Sequence, residues 1–237
     1  MMKKGFTLAE VLITLGVVGI VAVLTVPAVV KNYRNRLYTA QLEKVSAQIA
    51  DAIASEMNDE HTDNFYETKA AGECSEEDTD NCTTGPEYLL NNYLKSIKKD
   101  CLDSDEPCAT ASGSTYTTLD GDTMSKGFTK DSGDDLYCIQ TTNGAAVCAN
   151  YNSTKTCMSL AVDVNAMAEP NITGRDIFAM DVHSDGTLSD YNSSCIDGND
   201  GCDPSLCTDG SNAVTTVRTA ACGCYSKVRN AGWKMDY

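Results

Sequence analysis

The chain has 237 residues and a formal net charge of −16, a length that suits one soluble domain plus an anchor. The charge is uneven: residues 1–55 carry six Lys/Arg against three Asp/Glu, and the remainder carries 12 against 31. An acidic bulk surface of this kind repels phosphate backbones, which argues against direct nucleic-acid binding.

Residues 11–30 contain no charged side chain, and the apolar run extends back to Phe6 with Glu10 as its one exception. Twenty helical residues cover about 30 Å, the thickness of a bilayer's hydrocarbon core. A removable secretory signal is the competing reading, since Lys3 and Lys4 resemble a basic leader. Against it, the run is long, no Ala-x-Ala site follows, and helical spacing continues through Tyr38, Leu42, Val45, Ile49, Ala52 and Ile53. The expectation is one helix over residues 6–57, with Pro27 interrupting it gently by removing a backbone donor. Glu10 is costly inside an apolar anchor unless it reaches the headgroups or pairs with a positive group on a neighbouring subunit.

The segment Lys3-Lys4-Gly5-Phe6-Thr7-Leu8-Ala9-Glu10 with its apolar run resembles the cleavage and methylation signal of type IV pilins and type II secretion pseudopilins. The resemblance covers about the first thirty residues. It implies a leader of residues 1–5, cut by a prepilin peptidase after Gly5, with methylation of the new Phe6 amine. It implies further that Glu10 neutralises that amine between subunits, that Pro27 is the family's helix-kinking proline, and that residues 6–30 cross the inner (cytoplasmic) membrane. The partners it implies are other pilin or pseudopilin subunits and an inner-membrane assembly platform. The fold it implies is α+β and pilin-like: a long N-terminal helix packed on a small antiparallel sheet, in a globular domain of residues 58–237. A membrane-anchored binding or adhesion module that does not polymerise is the alternative reading.

All twelve cysteines lie from Cys74 onward, and no Cys-x-x-Cys occurs. That pattern reads as disulfides formed in an oxidising compartment rather than metal ligation. Cys74 and Cys82 are expected to pin a local acidic loop. A helix is expected after Thr84 as cap, with Pro86 and Glu87 in its first turn and Leu89, Leu90, Tyr93, Leu94 and Ile97 on its apolar side.

Strands are expected over residues 135–141 and 145–151, joined at Thr142-Asn143-Gly144. A two-residue turn would set Cys138 opposite Ala149. A three-residue loop with left-handed Gly144 pairs Cys138 with Cys148, and the disulfide favours this register. Further strands are expected over 157–164, with Met158, Leu160 and Val162 on one face, and over 176–182, with Phe178, Met180 and Val182 on one face.

Between these strands, Asp163, Asn165 and Asp176 supply oxygens that suit a calcium ion. The same residues suit Asx-turns at strand ends beside an Arg175–Asp176 polar cluster, and the spacing is not that of an EF-hand. This stretch also resembles a Val-Asp-Val-Asn … Pro-Asn … Gly-Arg-Asp-x-Phe pattern of some bacterial pilin-like proteins. Residues 191–211 form a Cys/Asp/Gly/Ser-rich loop that needs stapling. The tail is expected to end in a strand over 232–237, with Trp233 on the sheet. His61 and His183 are isolated, and no His-Glu-x-x-His, phosphate loop or Gly-x-Ser-x-Gly elbow occurs, so the chain is read as a non-enzyme.

Overall fold

The computed structural model describes residues 7–72, 83–129, 136–152, 157–192, 201–208 and 216–237. The chain divides into two compact units, Met1–Leu37 and Tyr38–Tyr237. Helix α1 (Leu8–Asp59) contributes its first part to one unit and the rest to the other, and Pro27 lies inside it without ending it.

The second unit is α+β. After α1 come two single-turn 3₁₀ helices (Phe65–Glu67 and Lys69–Ala71) and α2 (Pro86–Asn92). The strands are β1 (Ser96–Lys98), β2 (Tyr137–Thr141), β3 (Ala146–Asn152), β4 (Cys157–Asp163), β5 (Ile177–Val182) and β6 (Leu188–Asp190). They form one antiparallel sheet in which spatial order equals sequence order. Two short helices close the chain, α3 (Val217–Ala220) and α4 (Cys224–Asn230).

The helical spacing read from residue 38 onward places side chains in the core. Leu42, Val45, Ile49 and Ile53 are fully buried, and Tyr38 and Ala52 nearly so. They share one apolar cluster with Ile139, Val147, Met158, Leu160, Val162, Phe178, Met180 and Val182. Burial of each large side chain there contributes about 1.5–3 kcal/mol. The opposite face of the sheet is covered too. Tyr116, Phe128 and the Cys101–Cys108 disulfide pack with Cys138, Cys148, Ala161 and Ile177, while Tyr191 and Ala221 pack on Ala179. Every residue of β4 and β5 is therefore buried, including Asp163, Ser159 and Asp181.

Two expectations need correction. The helix after Pro86 is shorter than its apolar spacing implied. Gly85, with φ 88°, rather than Thr84, precedes its first turn, and the helix stops at Tyr93. Residues Ser96–Lys98 then form an edge strand, with Ile97 exposed and Lys95, Lys98 and Lys99 around it. Lysines on a short edge strand hinder pairing with another chain, which suits this position.

The terminal strand is absent as well: residues 232–237 follow α4 as turn and irregular chain. Gly232 and Trp233 have φ 68° and 58°. Trp233 N–H donates to the Val228 carbonyl (3.0 Å) and Gly232 N–H to that of Arg229 (3.0 Å). This is a Schellman stop, and left-handed backbone at two successive residues is incompatible with a strand. Trp233 packs edge-to-face on Tyr225 of α4, with ring centroids 6.2 Å apart.

Candidate functional site

Two places carry the residues singled out from the sequence. The first is the start of α1. Gly5 and Phe6 lie outside the described residues. Thr7 N–H and Thr7 Oγ1 both donate to Glu10 Oε2, at 2.9 and 2.8 Å, and Glu10 N–H donates back to Thr7 Oγ1 at 3.3 Å. This is a reciprocal capping box, in which Thr7 is the N-cap and Glu10 the third helical residue. The pattern Thr-x-x-Glu was in the sequence and signals Thr7 as a partner of Glu10. Both bonds from Thr7 fall on Oε2.

Beyond Glu10 the helix exposes large apolar side chains within its unit, among them Leu12, Ile13, Val17, Ile20, Leu24 and Val29. Its most apolar window has a mean hydropathy of 2.5 and no buried residues. By length and composition α1 is long and apolar enough to cross a membrane. Thr14 and Thr25 donate their hydroxyls to the carbonyls of Val11 and Val21, so neither leaves an unpaired polar group in the apolar stretch.

The second place is the turn between β4 and β5, residues 164–176. Val164 N–H donates to the Asp176 carbonyl (2.8 Å) at the base of the turn. Further along, Thr117 N–H donates to the Asn171 carbonyl (3.1 Å), and Thr173 N–H donates back to the Thr117 carbonyl (3.0 Å). Gly174, with φ 78°, lies so close to the Cys207–Cys224 disulfide that an added Cβ would come within 2.6 Å of Cys224 Sγ. Tyr237 donates its hydroxyl to the Gly174 carbonyl (2.6 Å).

Asp163, Asn165 and Asp176 come together within this turn. Asp163 Oδ1 accepts the Asn165 N–H (3.1 Å), while Asp163 Oδ2 is buried with no hydrogen-bond partner. Asp176 Oδ2 accepts the Asn171 N–H (2.9 Å), and Oδ1 accepts the Ile172 N–H (2.6 Å). Asn165 directs Nδ2 at the Ala168 carbonyl (2.6 Å), leaving its Oδ1 buried and unpartnered. Asn171 Oδ1 is a third buried, unpartnered oxygen, on a residue not singled out from spacing.

Burial, and then the charge of Asp176, pushes the Asp163 carboxyl well above the usual carboxylate range. Burial raises Asp176 to about 6, opposed by backbone N–H donors and the charge of Arg175. Among the described residues no three His, Cys, Asp or Glu side chains are grouped so as to hold a metal ion by themselves. The oxygen set here is two carboxylates and two amides.

The cysteines among the described residues are oxidised. Among the described residues, disulfides join Cys101–Cys108, Cys138–Cys148, Cys202–Cys222 and Cys207–Cys224, and no cysteine is free. Cys138 sits directly opposite Cys148, with Cα atoms 4.0 Å apart. The intervening loop is the three-residue form: Thr141 N–H donates to the Ala145 carbonyl (2.8 Å), and Gly144 has φ 92°. Cys202 and Cys207 staple the loop around the short 3₁₀ helix Pro204–Thr208 to the chain on either side of Gly223. Cys74, Cys82 and Cys195 lie outside the described residues. Comparison with protein-family models, curated proteins and solved structures finds no match.

Buried polar anchors that spacing did not reveal complete this region. Asp190 accepts the Gly223 and Ser226 N–H groups (2.7 and 2.8 Å), satisfying donors at the start of α4 from another element. Arg218 is buried, bonds Asn150 Oδ1 and the Thr129 carbonyl, and stacks over the Tyr191 ring.

Proposed function

We propose that the protein is a structural subunit of a type IV pilus or type II secretion pseudopilus, anchored in the inner membrane and polymerised through the first half of α1. The observation that carries this reading is the N-terminal arrangement. A Lys-Lys-Gly-Phe junction leads into a helix whose sole acidic residue before Lys31 is Glu10, and the apolar surface beyond Glu10 is exposed. An acidic group held at the head of an apolar helix suits a register device between packed anchors, because a carboxylate drawn into the apolar bundle is stabilised by an opposite charge on a neighbour. An oxidised second unit with no free cysteine among its described residues suits an extracytoplasmic location.

Under this reading a prepilin peptidase removes residues 1–5, and Phe6 becomes a methylated N-terminus. Assembly then draws on other pilin or pseudopilin subunits and an inner-membrane platform, and no catalysis is required of the chain. Intact-mass and N-terminal peptide analysis of the protein from its native membrane should find a mature chain starting at methylated Phe6. A mature chain starting beyond Val30 would assign the apolar run to an ordinary secretory signal and sink the proposal.

A further inference from the structure

We propose that the turn between β4 and β5 binds a calcium ion through the side-chain oxygens of Asp163, Asn165, Asn171 and Asp176. Three of these residues present an oxygen with no partner: Asp163 Oδ2, Asn165 Oδ1 and Asn171 Oδ1. Asp163 is wholly buried and Asn171 is 4% exposed, so these oxygens have lost bulk water without gaining a protein donor. Native interiors pair such atoms, and an unpaired set confined to one turn calls for a ligand that accepts electron density from several oxygens at once. A water molecule supplies two donors, whereas a cation satisfies every oxygen pointed at it.

The connections within the turn tie these groups together. The Asn165 backbone bonds the Asp163 carboxylate, and the Asn171 backbone bonds that of Asp176. Each asparagine therefore stands beside a carboxylate with its own amide oxygen still available. The Asp176 oxygens each receive one N–H, which leaves further lone pairs for a metal. Arg175 offsets part of the charge of Asp176, whereas neither salt bridge among the described residues reaches Asp163.

The donor chemistry selects the ion. Carboxylate and amide oxygens without nitrogen or sulfur suit a hard cation. Magnesium keeps most of its water and demands near-octahedral geometry, which a buried turn of mixed amide and carboxylate oxygens does not favour. Calcium accepts amide oxygens and irregular geometry, and its double charge balances the two carboxylates.

The test uses the full chain in detergent micelles, stripped with a chelator and titrated with calcium chloride, with magnesium chloride as control. Calcium at saturation should raise Tm by roughly 3–8 °C, and magnesium at the same concentration should not. Asp163→Asn should lose the calcium response while still unfolding cooperatively in the absence of calcium, because Asn keeps the size and the Oδ1 acceptor of the side chain. Asn171→Ala keeps both carboxylates and should weaken calcium binding about tenfold or more, a comparison that stands even where Asp163→Asn fails to fold.

Terbium gives an independent readout. Tyr116 directs its hydroxyl at Met167 Sδ within the same turn (3.9 Å), so tyrosine-sensitised terbium emission should appear and should fall in Tyr116→Phe. The proposal is overturned if calcium leaves the wild-type Tm unchanged and terbium emission is absent. It is equally overturned if Asp163→Asn and Asn171→Ala both respond to calcium as the wild type does.

Discussion

Glu56 sits on the last turns of α1, fully buried, with Oε1 accepting the Ala70 N–H at 2.8 Å. Its carboxyl holds the 3₁₀ turn Lys69–Ala71 against the helix, although Glu60 and Lys69 nearby are largely engaged with each other at 3.2 Å. Burial raises its pKa from 4.5 to about 7, with the Ala70 bond opposing and the Glu60 charge adding. The folded chain therefore keeps this proton to higher pH than the unfolded chain does. The stabilisation it gives is complete below the unfolded value of 4.5 and disappears as pH rises through about 7. Glu56→Gln mimics the protonated form and retains an acceptor for Ala70. Urea unfolding at pH 8 should find the variant more stable by roughly 2–3 kcal/mol, with the difference vanishing near pH 4. A pH-independent difference would show that Glu56 does not change ionisation on folding.

At the scale of the element, the capping box gives Glu10 two separable tasks. Its acceptor oxygen closes the first turn of α1 with Thr7, and under the proposed function its charge pairs with a neighbour's Phe6 amine. Glu10→Gln preserves the acceptor, since Gln serves in capping boxes, but removes the charge. Thr7→Ala removes the cap at about 0.5–2 kcal/mol while leaving the charge. Sheared-filament yield relative to membrane-bound subunit should fall several-fold in Glu10→Gln and Glu10→Ala and remain near wild type in Thr7→Ala. Wild-type yield from Glu10→Gln would reduce Glu10 to a capping residue.

Elements differed in how far they could be read from the chain. The buried stripe of α1 and the alternation in β4 and β5 were legible because one spacing dominated each. The β2–β3 register followed from requiring Cys138 and Cys148 to meet. The start of α2 was legible from Pro86, but its end was not, because Leu94 and Ile97 continue a helical spacing that Ile97 does not use for burial. The aromatic tail was misread because Gly232 ends α4 by adopting a left-handed backbone, a decision taken by backbone hydrogen bonds. For the candidate site, Asp163, Asn165 and Asp176 were visible as neighbours along the chain. The unpaired Asn171 oxygen was not, because it depends on the second face of the sheet being covered.

For the whole molecule, the sheet is a meander, each strand hydrogen-bonding its neighbours in sequence, and two of its bridges are similarly local. Cys101 with Cys108 and Cys138 with Cys148 each join consecutive cysteines, 7 and 10 positions apart. The C-terminal bridges differ: Cys202–Cys222 and Cys207–Cys224 interleave, spanning 20 and 17 positions. Nearby thiols meet more often in a disordered chain, so Cys202 first encounters Cys207, a pairing the folded protein does not contain. Oxidative refolding of the reduced full chain, quenched by alkylation and mapped by mass spectrometry, should show the two consecutive pairs early and the interleaved pairs last. Simultaneous appearance of all four would contradict this order. A chain oxidised as it emerges, residue after residue, thus closes its first described bridges correctly without help. Its final stretch must exchange partners after release, so dependence on a disulfide-shuffling catalyst is concentrated in the C-terminal segment that clamps Gly174.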